Sequence, residues 1–559
     1  MTASPVGGQL PRTQYAVQLV GPSQLTLNRE KPVHQPGPHQ IVAKIEAVGL
    51  CFSDLKLLKQ FTEHARKGEV VRGIEPRVLD EIPSYVPGTK PTVPGHEGVC
   101  RIVAVGEKVT RHKVGERCLI QTDYRWLRTA AGSNAAFGYN FEGALQEYVL
   151  MDERMIIEPG SGERFLIPVG ENLGASAVAL VEPWACVEDS YVSPERRTIK
   201  AAGRLLVVAD AGRRIQGLAE SFAAEGKPAS VTCACAEPQQ RQAVEALGIP
   251  KAEETEFDDI VYFGSDKATI ESLNDKLAPN GIINIVLAGH KIGQPVMVGV
   301  GRVHYGMTRW IGTTGASAAT SYESIPATGE LRPGEKAIVV GAGGPMGQMH
   351  VIRDVCAGVP DLTLVATDFD EERLESLRRK AQPLADANRA TLRMVNPQKQ
   401  KLDETFTYFA LMAPVPALVA DAIRSSADRC LINIFAGIPA PVKHELDLDA
   451  YIANRCFMFG TSGSVIRDMK IVLEKMEQGR LDTDCSVDAI SGMAGAADGI
   501  AAVENRTLAG KIIVYPMLHD VPLIPLAKLD ERFPSVAAKL ENGQWTAAAE
   551  AQLLKTAGA

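Results

Sequence analysis

The sequence has no run of 18 apolar residues, which is the least that a membrane-spanning helix needs. Residues Met1–Gln14 lack the basic start and apolar core of a signal peptide, so we expect a cytoplasmic protein. Cysteines are few, with 10 in 559 residues, and none are spaced as a CxxC pair. This usage excludes a disulfide scaffold and predicts reduced thiols.

The chain also lacks the excess of basic residues that is typical of nucleic-acid binders. It has 59 Lys and Arg against 67 Asp and Glu, and its net charge is −8. An acidic surface disfavours a polyanionic partner. The 45% of hydrophobic and 23% of charged residues are ordinary globular usage. We therefore expect neither nucleic acid nor a membrane among the partners.

The sequence falls into two regions with different hydrophobic patterns. Up to about residue 190, it contains short alternating stretches such as Gln40–Ala47 and Gly98–Val105, which indicate an all-β unit. Within this region, Lys56–Pro94 is polar and rich in proline, and its length suggests an ordered functional loop or an insertion. From about residue 200, apolar runs alternate with helical-period segments, as in βαβ units with a parallel sheet.

The second region, from about residue 200, contains the same module twice. Matching segments recur at a nearly constant offset, namely 312–315 with 460–463, 283–285 with 432–434, and 207–208 with 339–340. The offset is smaller for the earliest pair, which predicts roughly 16 extra residues in the first half of the second copy. Two copies of this size can each bury a core, so we interpret the pattern as a tandem duplication.

A glycine turn in the second copy predicts a dinucleotide site. Strand 336–340 runs into Gly341, Gly343, Gly344, Pro345, Met346 and Gly347. Glycines let the backbone approach a pyrophosphate, and a helix N-terminus then faces the phosphates. Asp368 ends the next strand, where a carboxylate binds both ribose hydroxyls and repels a 2′-phosphate, so NAD is favoured over NADP. The GxGGxxG spacing is one residue longer than the usual GxGxxG motif, which weakens the expected preference for NAD over NADP.

The first copy has a different turn. Ala209 and Ala211 replace the first two glycines, and Asp210 places a negative charge where a pyrophosphate would lie. Glu237 nevertheless follows Gly217 at the spacing expected of an acid for ribose. We expect a degenerate module that supplies surface for packing or for a partner; a retained or altered nucleotide site is the alternative.

A second set of residues suggests a metal site in the β-rich region. Cys51 is followed, after the long polar segment, by His96 and then by Glu97. A thiolate, an imidazole and a carboxylate form a ligand set for catalytic zinc, with a fourth position for water or substrate. Ser53 could pass an alcohol proton outward, and Asp54 could accept a hydrogen bond from a ligand histidine. Taken alone, either Cys51 or His96 could equally be structural.

These motifs resemble the zinc-dependent medium-chain alcohol and polyol dehydrogenases. The resemblance lies in 51–54, 95–98, 106–115 and 143–148, and Glu182-Pro183 is similar to the sorbitol and threonine dehydrogenase branch. The surroundings of 341–347 resemble sorbose-1-phosphate reductases. The resemblance implies that Cys51, His96 and either Glu97 or Glu182 bind zinc. Ala436 and Gly437 follow a late strand, so we expect them on the nicotinamide side.

The resemblance implies hydride transfer between NAD(H) and a secondary alcohol or ketone, such as a polyol, sugar or sugar phosphate. Residues 121–141 contain no cysteine, so the family's structural-zinc lobe is missing and we expect one zinc per chain. The family implies a homo-oligomer, although the duplicated module could replace subunit pairing within one chain. Two alternatives remain: a zinc-free enoyl or quinone-type reductase, and a non-catalytic nucleotide-binding scaffold.

The predicted fold class is α/β plus β. A GroES-like catalytic domain at 1–195 is followed by a degenerate Rossmann-like module at 200–330 and an NAD-binding Rossmann domain at 331–484. We expect the segment 485–559 to return to the catalytic domain and to end in a tail.

Overall fold

The computed structural model describes residues 6–7 and 10–558. The chain forms two compact units, one of Met1–Cys186 with Ser464–Ala559 and the other of Val187–Gly463. No helix in the described ranges has both the length and the apolar character needed to cross a membrane.

The elements of the first unit, up to the point where the chain enters the second, are mainly strands. The strands are β1 (Val6–Gly7), β2 (Thr13–Gly21), β3 (Gln24–Pro32), β4 (Gln40–Gly49), β5 (Val70–Arg72), β6 (Glu97–Val105), β7 (Arg117–Ile120), β8 (Asp123–Thr129), β9 (Asn134–Ala136), β10 (Tyr148–Asp152) and β11 (Leu166–Pro168). The helices are α1 (Phe52–Gln60), α2 (Pro76–Asp80), α3 (Ala175–Ala179) and α4 (Val181–Val192), which continues past Cys186 into the second unit.

The second unit alternates strands and helices. Its strands are β12 (Arg204–Ala209), β13 (Ser230–Cys235), β14 (Phe257–Phe263), β15 (Leu277–Val286), β16 (Val296–Val298), β17 (Arg309–Thr313), β18 (Lys336–Val340), β19 (Thr363–Thr367), β20 (Thr391–Val395), β21 (Phe406–Leu411), β22 (Ser426–Ile434), β23 (His444–Leu446) and β24 (Phe457–Phe459). Its helices are α5 (Pro238–Glu245), α6 (Lys267–Asn274), α7 (Val300–Tyr305), α8 (Ala318–Ser324), α9 (Pro345–Cys356), α10 (Glu371–Ala387), α11 (Ala417–Arg424) and α12 (Leu448–Ala453).

The chain then returns to the first unit. The remaining elements are α13 (Ile466–Glu477), β25 (Val487–Ser491), α14 (Ala496–Asn505), β26 (Lys511–Val514), β27 (Ile524–Pro525), α15 (Leu529–Arg532), α16 (Pro534–Ala537) and α17 (Ala547–Ala557).

A sheet of nine strands organises the first unit. Its main path is β11-β7-β6-β4-β26-β25-β27, with β1 also paired to β6 and β10 to β4. The central strand β4 lies between two antiparallel partners, so Gly49 faces Glu97 on β6 and Ile513 on β26. This pairing brings three distant parts of the sequence to one end of β4, where the segment leading to Cys51 begins.

The second unit contains two parallel sheets, as the duplication predicts. The first has the order β13-β12-β14-β15-β17, and the second β20-β19-β18-β21-β22-β24. Only the short helix α5 separates β13 from β14, whereas the longer helix α10 and the extra strand β20 separate β19 from β21. The additional residues of the second copy lie here. The predicted β unit and tandem parallel modules are confirmed.

The first module departs from the second directly after its first strand. In the second module, α9 links β18 to β19. In the first, residues 210–229 between β12 and β13 form no α-helix and contain only the short 3₁₀ turn Ala219–Ser221. The first module has therefore lost the helix after its first strand as well as the glycines of the turn.

Candidate metal and dinucleotide sites

Cys51 lies at the N-cap of α1, two residues after β4 ends. Its backbone N–H donates to Asp54 Oδ2 at 3.0 Å, which fixes the first turn of the helix. Ser53 lies in the same turn and is half-buried. The positive end of the helix dipole faces the cysteine and favours an anionic group there.

The His96 ring is held by Asp54. His96 precedes β6 directly, and its Nδ1 lies 3.0 Å from Asp54 Oδ1. The ring therefore donates from Nδ1 to the carboxylate and keeps Nε2 for a ligand, a common arrangement for metal-binding histidines. Burial alone would raise the pKa of Asp54, but His96 and the Cys51 amide lower it below its usual value. The contact is the one that we expect for Asp54 from the sequence.

Glu97 is fully buried and uses only one of its two carboxylate oxygens. Oε1 accepts a hydrogen bond from Lys511 Nζ at 2.6 Å. Among the described residues, no group donates to Oε2. A Cβ built on Gly49 would lie 2.2 Å from that oxygen, so only glycine leaves room for it. A buried carboxylate oxygen without a partner is costly unless a cation completes it.

Cys51, His96 and Glu97 form one cluster. Their ligand atoms all lie within 4.8 Å of one another. The set consists of a thiol, an imidazole held by a carboxylate, and an orphan carboxylate oxygen, and these are donors that zinc accepts. The residues therefore fit a zinc ion.

Glu182 lies beside this cluster but not in it. It lies in the first turn of α4. Burial raises the pKa of Glu182 to about 7; His96 opposes this rise, and the Glu97 carboxylate adds to it. The mutually close ligand atoms are those of Cys51, His96 and Glu97. The structure thus groups Glu97, rather than Glu182, with the other two.

Two basic residues of the 56–94 segment are held by contacts within the first unit. Arg66 pairs with Asp123 at 2.9 Å, and its guanidinium lies over the Tyr139 ring. Lys67 is buried and donates to the carbonyl oxygens of Val86 and Lys90. Burial lowers the pKa of Lys67 to about 7. The segment is an ordered part of the first unit, anchored by these contacts.

Sequence reasoning missed Lys511 and Gly49. A lysine that opens an otherwise apolar strand, followed by Ile512 and Ile513, is the signal that could have indicated a buried partner for an acid. Gly49 stands at the end of an alternating strand, where a glycine often marks a close approach.

The glycine turn of the second module leads from β18 directly into the N-terminus of α9. Gly341 follows β18 with φ +85°, and Gly344 is the N-cap of α9. A Cβ on Gly347 would lie 2.4 Å from the Gly341 oxygen. Pro345 and Met346 form the first turn of the helix, whose free N–H groups favour anions.

Asp368 follows β19 and reaches back to this turn. Its Oδ2 accepts from the Gly343 N–H at 2.9 Å, and its Oδ1 accepts from the Asp370 N–H at 3.0 Å. The side chain is half-buried, so it remains accessible to a ribose at the edge of the turn.

Ala436 and Gly437 lie at the carboxyl end of the same sheet. They follow β22, which is separated from β18 by β21 alone. The strand order reverses between β18 and β21, and the crevice outside such a reversal is where open α/β sheets bind ligands. Gly437 is exposed, and a Cβ there would lie 2.5 Å from the hydroxyl of Tyr305.

The corresponding place in the first module is filled by its own side chains. The Asp210 carboxylate accepts from Tyr262 Oη at 2.8 Å and from the Ser265 N–H at 3.2 Å. Glu237 accepts from the Gly212 N–H at 2.9 Å, as Asp368 does from Gly343. The acid is thus kept in register although the phosphate-binding helix is missing.

The chain is similar to known dehydrogenases in sequence. The family model for the alcohol dehydrogenase GroES-like domain matches residues 37–160. An alcohol dehydrogenase of Rhizobium meliloti (strain 1021) is 34% identical over 137 residues, which are 22% of this chain and 33% of that protein. The L-sorbose 1-phosphate reductase of Klebsiella pneumoniae is 27% identical over 240 residues, which are 40% of this chain and 56% of that protein. The chain thus spans about a third to a half of the length of these relatives.

A solved structure supports the fold. The 2R,3R-butanediol dehydrogenase of Bacillus subtilis aligns with a TM-score of 0.51 and 15% identity, covering 90% of this chain and 100% of that one. At this identity the likeness concerns the fold alone. Together with the matches in sequence, it supports one conclusion: the chain is similar to medium-chain alcohol and polyol dehydrogenases in its GroES-like domain and in its fold.

Proposed function

We propose that the protein is a zinc-dependent oxidoreductase that transfers a hydride between NAD(H) and a secondary alcohol or ketone. Polyols, sugars and sugar phosphates are the substrate classes that we propose. The observation that carries the proposal is the cluster of Cys51, His96 and Glu97, with its unpartnered oxygen kept free by Gly49.

The residues around the cluster would tune and hold the metal ligands. Zinc bound there would polarise the alcohol oxygen and lower the pKa of its hydroxyl. Asp54 fixes the ring of His96, and Lys511 fixes one oxygen of Glu97 and neutralises its charge. Ser53 would take the hydroxyl proton and pass it to water. With these orientations set by buried contacts, little reorganisation is needed when substrate binds.

The glycine turn would hold the dinucleotide. The N–H groups at the start of α9 would bind the pyrophosphate, and Asp368 would accept hydrogen bonds from the ribose hydroxyls. A 2′-phosphate would meet the Asp368 carboxylate at this position, so the proposed cofactor is NAD, with NADP less favoured. Ala436 and Gly437 would line the nicotinamide side.

The test of this function is the variant Cys51→Ser, compared with the wild type and with Cys233→Ser. Cys233 is also partly exposed but lies on β13 of the first module, so it is a matched control. We expect one zinc per wild-type chain by elemental analysis. Cys51→Ser loses zinc and turnover while NADH binding, followed by fluorescence, remains; Cys233→Ser keeps all three.

Two results would overturn the proposal. A wild-type protein with far less than one zinc per chain but full turnover would point to the zinc-free reductase chemistry. A Cys51→Ser protein with unchanged turnover would remove the cysteine from the site. A panel of polyols, sugar phosphates and amino alcohols, followed by NADH absorbance, then identifies the substrate class.

A further inference from the structure

The two modules of the second unit meet along the last strand of each sheet. Strands β17 and β24 end the two sheets, and beside them the short strands β16 and β23 pair antiparallel. The pairs are Val296 with Leu446, Met297 with Glu445, and Val298 with His444. Strand β23 occupies the place in the second copy that β16 occupies in the first, since the two strands are separated by the repeat offset. Equivalent segments of the two copies therefore pair with each other about a central point.

Contacts beside this strand pair are reciprocal. A Cβ on Gly312 would lie 2.7 Å from the Ile452 side chain, and a Cβ on Gly460 would lie 3.0 Å from His304 Cα. Gly460 is the counterpart of Gly312 in the second copy, and Ile452 is the counterpart of His304 at the same offset. When residue i of one copy contacts residue j of the other, and j contacts i in return, the interface has two-fold character, as in symmetric dimers.

The interface is apolar and closed. Val296, Val298 and Leu446 are fully buried, and one continuous core includes residues of both modules. Tyr451 Oη donates to the Trp310 carbonyl oxygen at 2.8 Å, and Arg309 donates to the Gly460 carbonyl oxygen at 3.2 Å. A strand edge that is covered in this way cannot pair with another chain.

We propose that the first module serves as a built-in second subunit for the second module. It covers the strand edge at β23 and β24, which would otherwise be open to pairing with another chain, so the protein does not join a second copy of itself there. This role also accounts for a module that keeps its sheet, its pairing strand and its core but has lost the helix of the nucleotide site. Such a role is independent of the proposed activity.

A designed disulfide tests this arrangement in the full-length chain. Met297 and Glu445 lie directly opposite each other, and the Met297 N–H donates to Glu271 rather than to β23. The two residues thus form a non-hydrogen-bonded antiparallel pair. The Cα atoms of such a pair are about 4.5 Å apart, a distance that a disulfide can bridge. After mild oxidation of Met297→Cys/Glu445→Cys, we expect a linked species at the mass of one chain that reverts with reductant. The single variants are the controls. A linked species at the mass of two chains overturns the proposal. The proposal is also overturned if no disulfide forms in the double variant although each single variant's cysteine reacts with maleimide.

The wild-type protein provides an independent measurement. Lys267 of α6 lies 3.8 Å from Glu445, and Lys443 lies 2.7 Å from Asp275, so these two lysines flank the strand pair from opposite modules. We would mix ¹⁵N-labelled with unlabelled chains, treat them with an amine cross-linker and analyse the peptides. Cross-links between Lys267 and Lys443 that carry a single isotope support the proposal. Cross-links that join a labelled to an unlabelled peptide overturn it.

Discussion

At the scale of single residues, the two oxygens of Glu97 have opposite surroundings. One is held by Lys511, while the other has no donor among the described residues and lies in space left by Gly49, which has no side chain. The ligand candidates themselves could be predicted from local motifs. Lys511 and Gly49 could not, because Lys511 lies 414 residues from Glu97 and meets it only through the pairing of β26 with β4.

Gly49→Ala tests the space beside this oxygen. The added methyl would lie 2.2 Å from Glu97 Oε2 and must displace the carboxylate. Changes to the residues that position a metal ligand typically lower metal affinity by about 10–100-fold. We expect the zinc affinity of Gly49→Ala to fall by a factor in that range, measured by competition with a zinc chelator. Gly344→Ala, with nothing within 4 Å of its Cβ, should leave zinc affinity unchanged. Equal affinities for all three proteins would remove Glu97 from the metal site.

Asp368→Ala tests the choice of cofactor. Removing the carboxylate relieves its repulsion of a 2′-phosphate and deletes its bonds to the ribose, so the preference for NAD over NADP should narrow by about tenfold or more, as expected for the loss of one charged interaction of 1.5–3 kcal/mol. The measurement is kcat/KM for both cofactors. Glu237→Ala is the matched control, since Glu237 makes the equivalent contact to Gly212 in the first module. A change in cofactor kinetics in the control would mean that the first module binds nucleotide.

At the scale of elements, helix α9 has two different tasks. Its first turn faces the expected phosphates, while its later residues are buried with charged groups. Arg353 pairs with Glu188 at 3.1 Å, and Tyr191 Oη donates to Asp354 Oδ2 at 3.1 Å. These contacts fix α9 against the second half of α4, which belongs to the same unit, and thereby hold the N-terminal turn of α9 in place.

Asp354 makes the stability of this helix depend on pH. Burial raises the pKa of Asp354 to about 8 from 3.8, although Arg353 opposes the rise. Between these values the folded chain binds a proton that the unfolded chain releases, so stability falls as pH rises through this window, by up to about 1.4 kcal/mol per pH unit. Denaturant unfolding of Asp354→Asn between pH 5 and 8 should lack this component. The exposed Asp403→Asn should keep the wild-type slope, and the same slope in Asp354→Asn would contradict the assignment.

The elements also show how far local sequence patterns extend. Strands β12 and β18 and the turn at Gly341 were predictable, because apolar runs and glycines act over a few residues. The loss of the helix between β12 and β13 was not, because residues 210–229 are stabilised by contacts with later strands rather than by their own propensities. Asp210, for example, is bound by Tyr262, 52 residues away.

At the scale of the whole second unit, the two modules share one hydrophobic core. Its members include Ile283 and Trp310 from the first copy, and Ile432 and Met458 from the second. The duplication was visible in the sequence as a repeat offset. The pairing of β16 with β23 was not visible, because three-residue strands carry too little pattern to be assigned.

The shared core predicts that both modules lose stability together. Ile283→Ala removes a fully buried side chain and should cost about 2–5 kcal/mol. In hydrogen exchange followed by mass spectrometry, we expect faster exchange in β18, β21 and β22 as well as in the first module. Gln239→Ala, on the exposed face of α5, should leave exchange unchanged. Faster exchange confined to residues 204–313 would show that the modules unfold independently.

The placement of Met297 opposite Glu445 has an evolutionary consequence. Two identical subunits must present the same amino acid to both sides of a symmetric contact, so every mutation there acts twice. Fusion of the copies into one polypeptide removes that constraint, because each side can then accumulate mutations separately. One copy can also lose its ligand-binding loop while the other copy keeps it. The unequal halves of this protein are what such release from symmetry would produce.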